Sequence, residues 1–141
     1  MLFRSKNFAK TILKRAVQNL PSKVVNDQYG QPTSAIALAS KIFELFSEKP
    51  HYGIYHGTNS GTSTWFDFAR EIYYLLGKDP ELVSPVSSGD FPTKAQRPKY
   101  SVLSHEMWKS RGIQEMNDWR VDLKSVFPEI LQEVERELAD A

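Results

Sequence analysis

The sequence predicts an α/β fold with a small sheet, on three observations. Val24 and Val25, both β-branched strand formers, run into a polar turn over residues 26–33 and then into an amphipathic stretch over 35–46. A second strand, loop and helix follow over residues 52–76, and residues 82–86 read as a further short strand. Short strands alternating with helical patterns point to one layered α/β unit.

The chain has 141 residues, so a single domain over residues 1–141 is expected. Eighteen basic against seventeen acidic residues leave a net charge of +1, which argues against a nucleic-acid-binding surface. With no cysteine, disulfides, thiolate catalysis and zinc ribbons are excluded, and a reducing cytoplasm is the compatible location. No apolar run is long enough to span a bilayer, and Met1 to Lys6 lack the apolar core of a signal peptide. A soluble, unexported protein is therefore expected.

Each element has its own local cause. Residues 7–19 place Phe8, Ile12, Leu13 and Ala16 at helical spacing among lysines and Arg15, a packed surface helix rather than a membrane-lying one. Asn26, Asp27 and Gly30 suit the turn, Pro32 closes it, and Thr33 or Ser34 caps the helix over 35–46. Alternation over residues 52–56 predicts a strand, and residues 57–63 a flexible polar connection. Ser63 or Thr64 caps a helix over 65–76 that Gly77 and Pro80 stop. A long loop over 87–99 is where function is expected. Ser104 caps a helix over 106–111 that Gly112 ends, and Asp118 caps a closing helical region that Pro128 interrupts or restarts. That makes about five helices with short strands.

Five motifs occur in order: Asn7-Phe8-Ala9-Lys10-Thr11; the turn from Asp27 to Thr33; Tyr55-His56; Ser63-Thr64-Trp65-Phe66-Asp67-Phe68-Ala69; and Pro92-Thr93-x-Ala95-x-Arg97-Pro98-x-x-Ser101-x-Leu103. Together they resemble the C-terminal, substrate-binding half of dTDP-4-dehydrorhamnose reductase, an extended short-chain dehydrogenase/reductase. The resemblance runs from Asn7 to about Leu131. It implies a dTDP-sugar substrate and NADPH or NADH as the cofactor of the complete enzyme. It also implies that the Rossmann domain and the Tyr-x-x-x-Lys pair belong to a half that is missing here. The chain is thus expected to bind no cofactor, to contain no catalytic residue and to be inactive alone.

Tyr74 and Lys78 match Tyr-x-x-x-Lys by letter, but they fall at a helix end beside Gly77 and correspond to no catalytic element of the family. Residues 57–63 lack the Gly-Lys-Ser/Thr ending of a phosphate loop. Four residues are candidates for substrate binding. Arg97 offers a guanidinium fork for a pyrophosphate, or alternatively a structural pair with Asp90 or Glu106. Asn7 stands where superfamily members approach the nucleotide phosphates, with an N-cap as the alternative; Gln28 and Thr33 offer a turn amide and a capping hydroxyl. The histidines His51, His56 and His105 have no metal-ligand spacing, and a structural role at a strand end is expected of His56.

Some family members dimerise around Mg²⁺ held by glutamates. Here Ile36 stands at one such position while Glu129 falls near another, which puts the metal in doubt. Ser104, where aspartate is commoner in the family, can cap the next helix equally well. The alternative to an enzyme portion is a non-catalytic interaction or regulatory protein retaining the fold. In either case, apolar residues facing the missing Rossmann half are expected to be exposed or covered by self-association.

Overall fold

The computed structural model describes residues 7–47, 52–90 and 97–140. His51 and the Pro92-Thr93-x-Ala95 part of the last motif lie outside them. Helix α1 spans Phe8–Val17, β1 Ser22–Val25, β2 Tyr29–Gly30, α2 Ala35–Ser47, β3 Asn59–Ser60 and β4 Ser63–Thr64. Then come α3 at Trp65–Leu75, β5 at Val83–Val86, α4 at Glu106–Ser110, β6 at Met116–Asp118 and α5 at Trp119–Ala139. The strands form three two-stranded sheets among the described residues: β1 with β5 parallel, β2 with β4 antiparallel, and β3 with β6 parallel. None is a Rossmann-type sheet, and the five-helix α/β architecture is the one the sequence predicts.

The core lies where α1, α3 and α5 meet the β1–β5 pair. Ile12, Leu13 and Ala16 of α1 bury against Ala69, Ile72 and Tyr73 of α3 and Trp119, Leu123, Phe127 and Val134 of α5, with Val24 and Val83 closing one end. The basic residues of α1 have partners within the fold: Lys10 pairs with Glu133 at 2.7 Å and Lys14 with Glu137 at 2.5 Å. These pairs set the helix on α5, as expected of a packed surface helix.

Caps define the helix starts. Asn7 Oδ1 accepts from Lys10 N at 2.8 Å. Ser34, not Thr33, caps α2, its Oγ accepting from Ala37 N at 3.3 Å. Thr64, not Ser63, caps α3 through a capping box with Asp67, whose carboxylate accepts from both Thr64 N and Oγ1. Before α4 the cap position falls on His105, which makes no capping bond, while Ser104 Oγ accepts from Glu106 N at 3.2 Å. Gly77 and Gly112 take positive φ (72° and 67°) where α3 and α4 end, a conformation that favours glycine.

Three expectations are corrected. Residues 52–56 form no strand: Tyr52 and Ile54 are exposed, and ladder pairing begins only at Asn59, opposite Met116. Residues 57–63 are not a flexible connection, since they contain β3, the start of β4 and the fully buried Asn59. Pro128 neither breaks nor restarts the last helix, and α5 runs through it unbroken. Proline removes the donor to the Lys124 carbonyl and its ring crowds that carbonyl; both residues lie on the exposed side, where the carbonyl can tilt out to water.

Asn59 ties distant segments together. Its Oδ1 accepts from Ser34 N at 2.9 Å, and its Nδ2 donates to Asn117 O at 2.9 Å and Asp122 Oδ2 at 2.5 Å. Asn117 Nδ2 donates to the other oxygen of the buried Asp122 at 3.0 Å. A second buried link joins α3 to β1: Tyr73 Oη donates to Leu20 O at 2.5 Å and lies 3.0 Å from Ser22 Oγ, which also accepts from Arg15 Nε. Replacing Tyr73 by Phe keeps the ring packing and strands these partners. Urea denaturation is expected to show a loss of about 1–2 kcal/mol.

Candidate functional site

The turn after β1 builds one wall of a cleft of about 370 Å³. Gln28 to Pro32 line it together with Thr58, Ser63 to Trp65, Arg97, Pro98 and Ser101. The capping box holds Trp65 at the first position of α3, where the residue is 36% exposed. Tyr29 and Tyr100, both largely exposed, sit with ring centroids 6.4 Å apart, so aromatic faces and a guanidinium border the same space. Such a combination suits a flat ring linked to an anionic group.

The four sequence candidates divide between two sites. Arg97 and Gln28 line this cleft; Asn7 and Thr33 line a neighbouring groove of about 540 Å³ with Phe8, Ile36, Trp119 and Glu129. Gln31, Pro32 and Trp65 border both, forming the ridge between them. Arg97 is exposed and makes no ion pair with Asp90 or Glu106 among the described residues. The Gln28 amide has no hydrogen-bond partner among them either, so both groups can turn to a ligand. Asn7 and Thr33, in contrast, carry structural bonds. Asn7 caps α1, and Thr33 Oγ1 donates to Gln31 O at 3.0 Å while accepting from Asn59 N at 3.3 Å.

Asp27 anchors the turn to the loop that follows β5. Its carboxylate accepts from Ser88 Oγ at 2.8 Å and Ser88 N at 3.0 Å. The Ser88 hydroxyl bond is the main reason its pKa lies below the ordinary 3.8; burial opposes this, and the Ser88 amide and the Lys99 charge add to the lowering. Because the anion is the form that binds, this contribution to stability is present above the ordinary carboxylate range and is lost as pH falls through the lowered value.

The other polar residues fill structural places. His56 Nδ1 donates to Ser104 O at 2.8 Å, and its carbonyl accepts from Trp108 Nε1 at 2.9 Å. Tyr74 is 66% exposed at the end of α3, and neither it nor Lys78 lines the cleft or the groove. A Cβ at Gly61 would stand 2.2 Å from Asp118 Oδ2, so this glycine lets the 59–63 loop pack closely on that carboxylate. Ile36 offers no oxygen to a metal ion, and no cluster of three acidic or histidine side chains forms among the described residues. No helix among them is long and apolar enough to cross a membrane.

Sequence reasoning did not single out Gln31, Thr58 or Ser101. Their signal is weak by nature, because each acts through a partner distant in the chain.

A cation-edged cleft on a small helical α/β body defines a ligand-binding module. The chain belongs to the RmlD substrate binding domain family, whose sequence profile matches residues 2–132. It is 40% identical over 126 residues to a probable dTDP-4,6-dihydroxy-2-methyloxan-3-one 4-ketoreductase of Streptomyces antibioticus, covering 89% of this chain and 43% of that protein. The crystal structure of dTDP-4-dehydrorhamnose reductase from Clostridium acetobutylicum superposes with a TM-score of 0.80 at 38% identity, covering 92% of this chain and 45% of that one. The Bacillus anthracis dTDP-4-dehydrorhamnose reductase, solved in complex with NADP, also gives 0.80, at 35% identity over 89% of this chain and 44% of that one. The chain therefore spans less than half the length of the relatives it matches.

Replacing Asp27 by Asn is expected to lower the melting temperature at pH 7. The difference from the unmutated protein should shrink to nothing as the pH falls through the lowered Asp27 pKa and the carboxylate is protonated. A gap that persists in acid would show that the carboxylate charge does not hold the turn.

Proposed function

We propose that this chain is the sugar-nucleotide-binding portion of a dTDP-4-dehydrorhamnose reductase or a close dTDP-keto-sugar reductase. The observation that carries this reading is that the Arg97 guanidinium, without a partner among the described residues, lines the cleft walled by the Gln28–Pro32 turn. A fork of N–H donors matches the paired oxygens of a diphosphate, and the exposed rings of Tyr29 and Trp65 offer faces to the base and the sugar. In the complete enzyme, NADPH or NADH would deliver hydride to the sugar C4 and a proton donor would reach its oxygen. Both groups belong to the other half of the protein, and this chain's part is to bind and orient the substrate.

The apolar face of α2 supports a partner for this module. The single buried residue of that helix is Lys41, paired with Glu44 at 2.9 Å, while Ile36, Phe43 and Phe46 are 60%, 78% and 77% exposed. We assign this exposed face of α2 to the nucleotide-binding half of the longer protein, or to self-association in its absence. We place the complete protein in the cytoplasm, since a chain without cysteine draws nothing from an oxidising compartment.

The purified chain is expected to show no NADPH oxidation with the 4-keto sugar nucleotide, and measurable turnover would overturn the division of labour. Calorimetry should detect dTDP binding that weakens about tenfold in Arg97→Ala, as for a lost charge-assisted hydrogen bond. Equal affinities would return Arg97 to the surface without a role. Light scattering should find association that Phe43→Ser with Phe46→Ser abolishes; an unmutated monomer would contradict the assigned surface.

A further inference from the structure

The segment carrying Arg97 has little burial to hold it, since residues 97–101 are all exposed. Hydrogen bonds to the turn hold it instead. Tyr29 N donates to Lys99 O at 2.8 Å, and Ser101 donates to Tyr29 O from N at 2.9 Å and from Oγ at 3.0 Å. Tyr29 and Tyr100 thus form a parallel bridge. Beyond it a side chain continues the ladder. Gln31 Oε1 accepts from Leu103 N at 2.8 Å, and Gln31 Nε2 donates to Leu103 O at 3.3 Å. The amide stands in for a peptide unit, reading both backbone groups of one residue.

That pairing fixes the rest of the network. Leu103 N–H requires the oxygen end of the amide, so Thr58 Oγ1, 3.2 Å from Gln31 Oε1, must be the donor. With its one proton committed, Thr58 accepts from His105 Nε2 at 2.9 Å. His105 is buried and in turn sets its Nδ1 3.2 Å from Glu115 Oε2, itself 3.5 Å from Lys109 Nζ. One glutamine therefore joins the turn, the residue before β3, and the segment on which Arg97 lies.

We propose that Gln31 is a positioning residue for substrate recognition. Its amide holds the 99–103 segment in place and thereby sets the Arg97 guanidinium at the cleft mouth for the diphosphate of a nucleoside diphosphate sugar. The role rests on reading the cleft as the nucleotide site. It adds that affinity depends on a residue whose own polar atoms are spent on the protein.

The test is a double-mutant cycle with dTDP as the probe, measured by NMR titration, alongside hydrogen exchange at the Leu103 and Ser101 amides. Gln31→Met keeps the length of the side chain and removes both bonds to Leu103. It should speed exchange at Leu103 and weaken dTDP binding about tenfold, yet by less than about twofold in the Arg97→Ala background, because the effect passes through Arg97. A merely structural role would lower affinity equally in both backgrounds and would overturn the proposal, as would unchanged affinity or unchanged exchange. Should Gln31→Met fail to fold, Thr58→Val and Thr58→Ser replace it: the valine should reproduce the loss and the serine restore binding, and equal behaviour of the two would overturn the role. Absence of dTDP binding by the unmutated chain would remove the nucleotide reading and this role with it, whereas binding that ignores Gln31 would remove the role alone.

Discussion

The architecture depends on the buried amide of Asn59. Around it meet the start of α2, strand β6 and the first turn of α5, three segments that share no long stretch of ladder. A buried amide or carboxylate left without partners costs roughly 1–3 kcal/mol per group, so this arrangement is stable only when all its members are seated together. Apolar packing would hold the same segments close, but it would not fix their register. Directional bonds do, and they set where Ser34 begins α2 and hence where the preceding turn must end.

The candidate site inherits that precision. With Thr33 and Ser34 pinned to β3, the turn from Gln28 to Pro32 has both ends fixed, one by β1 and one by the Asn59 cluster. Its outer face is then free to line a cleft and to receive the 99–103 segment. Asp27 fastens the same turn to the loop after β5. Polar residues in this turn thus serve two ends: Asp27, Gln31 and Thr33 are consumed by the fold, whereas Gln28 and the more distant Arg97 have no partner among the described residues.

Helix α2 departs from the usual arrangement in a way that matches the length of the relatives. Ile36, Ile42, Phe43 and Phe46 face outward and the lysine faces inward, where Nζ lies 5.5 Å from the Trp108 ring centroid and is neutralised by Glu44. A helix of that composition gains little from burial within this body alone. Much of its apolar area stays exposed among the described residues.

The sequence by itself determined the helices, the β1 and β5 strands, the caps at Asn7 and Thr64 or its neighbour, and the family, because periodicity, capping chemistry and ordered motifs are local signals. It also brought Arg97 and Gln28 forward, which the fold places in one cleft. The tertiary structure alone decided that residues 52–56 have no ladder partner, that β3 begins at Asn59, and that Pro128 rides inside a continuous helix. It alone separated the turn's two neighbouring polar residues, spending Gln31 on Leu103 and Thr33 on Asn59. Those outcomes depend on bonds between residues 26 to 72 positions apart. A hydrogen bond is specified by where its partner arrives in space, and no local pattern carries that information.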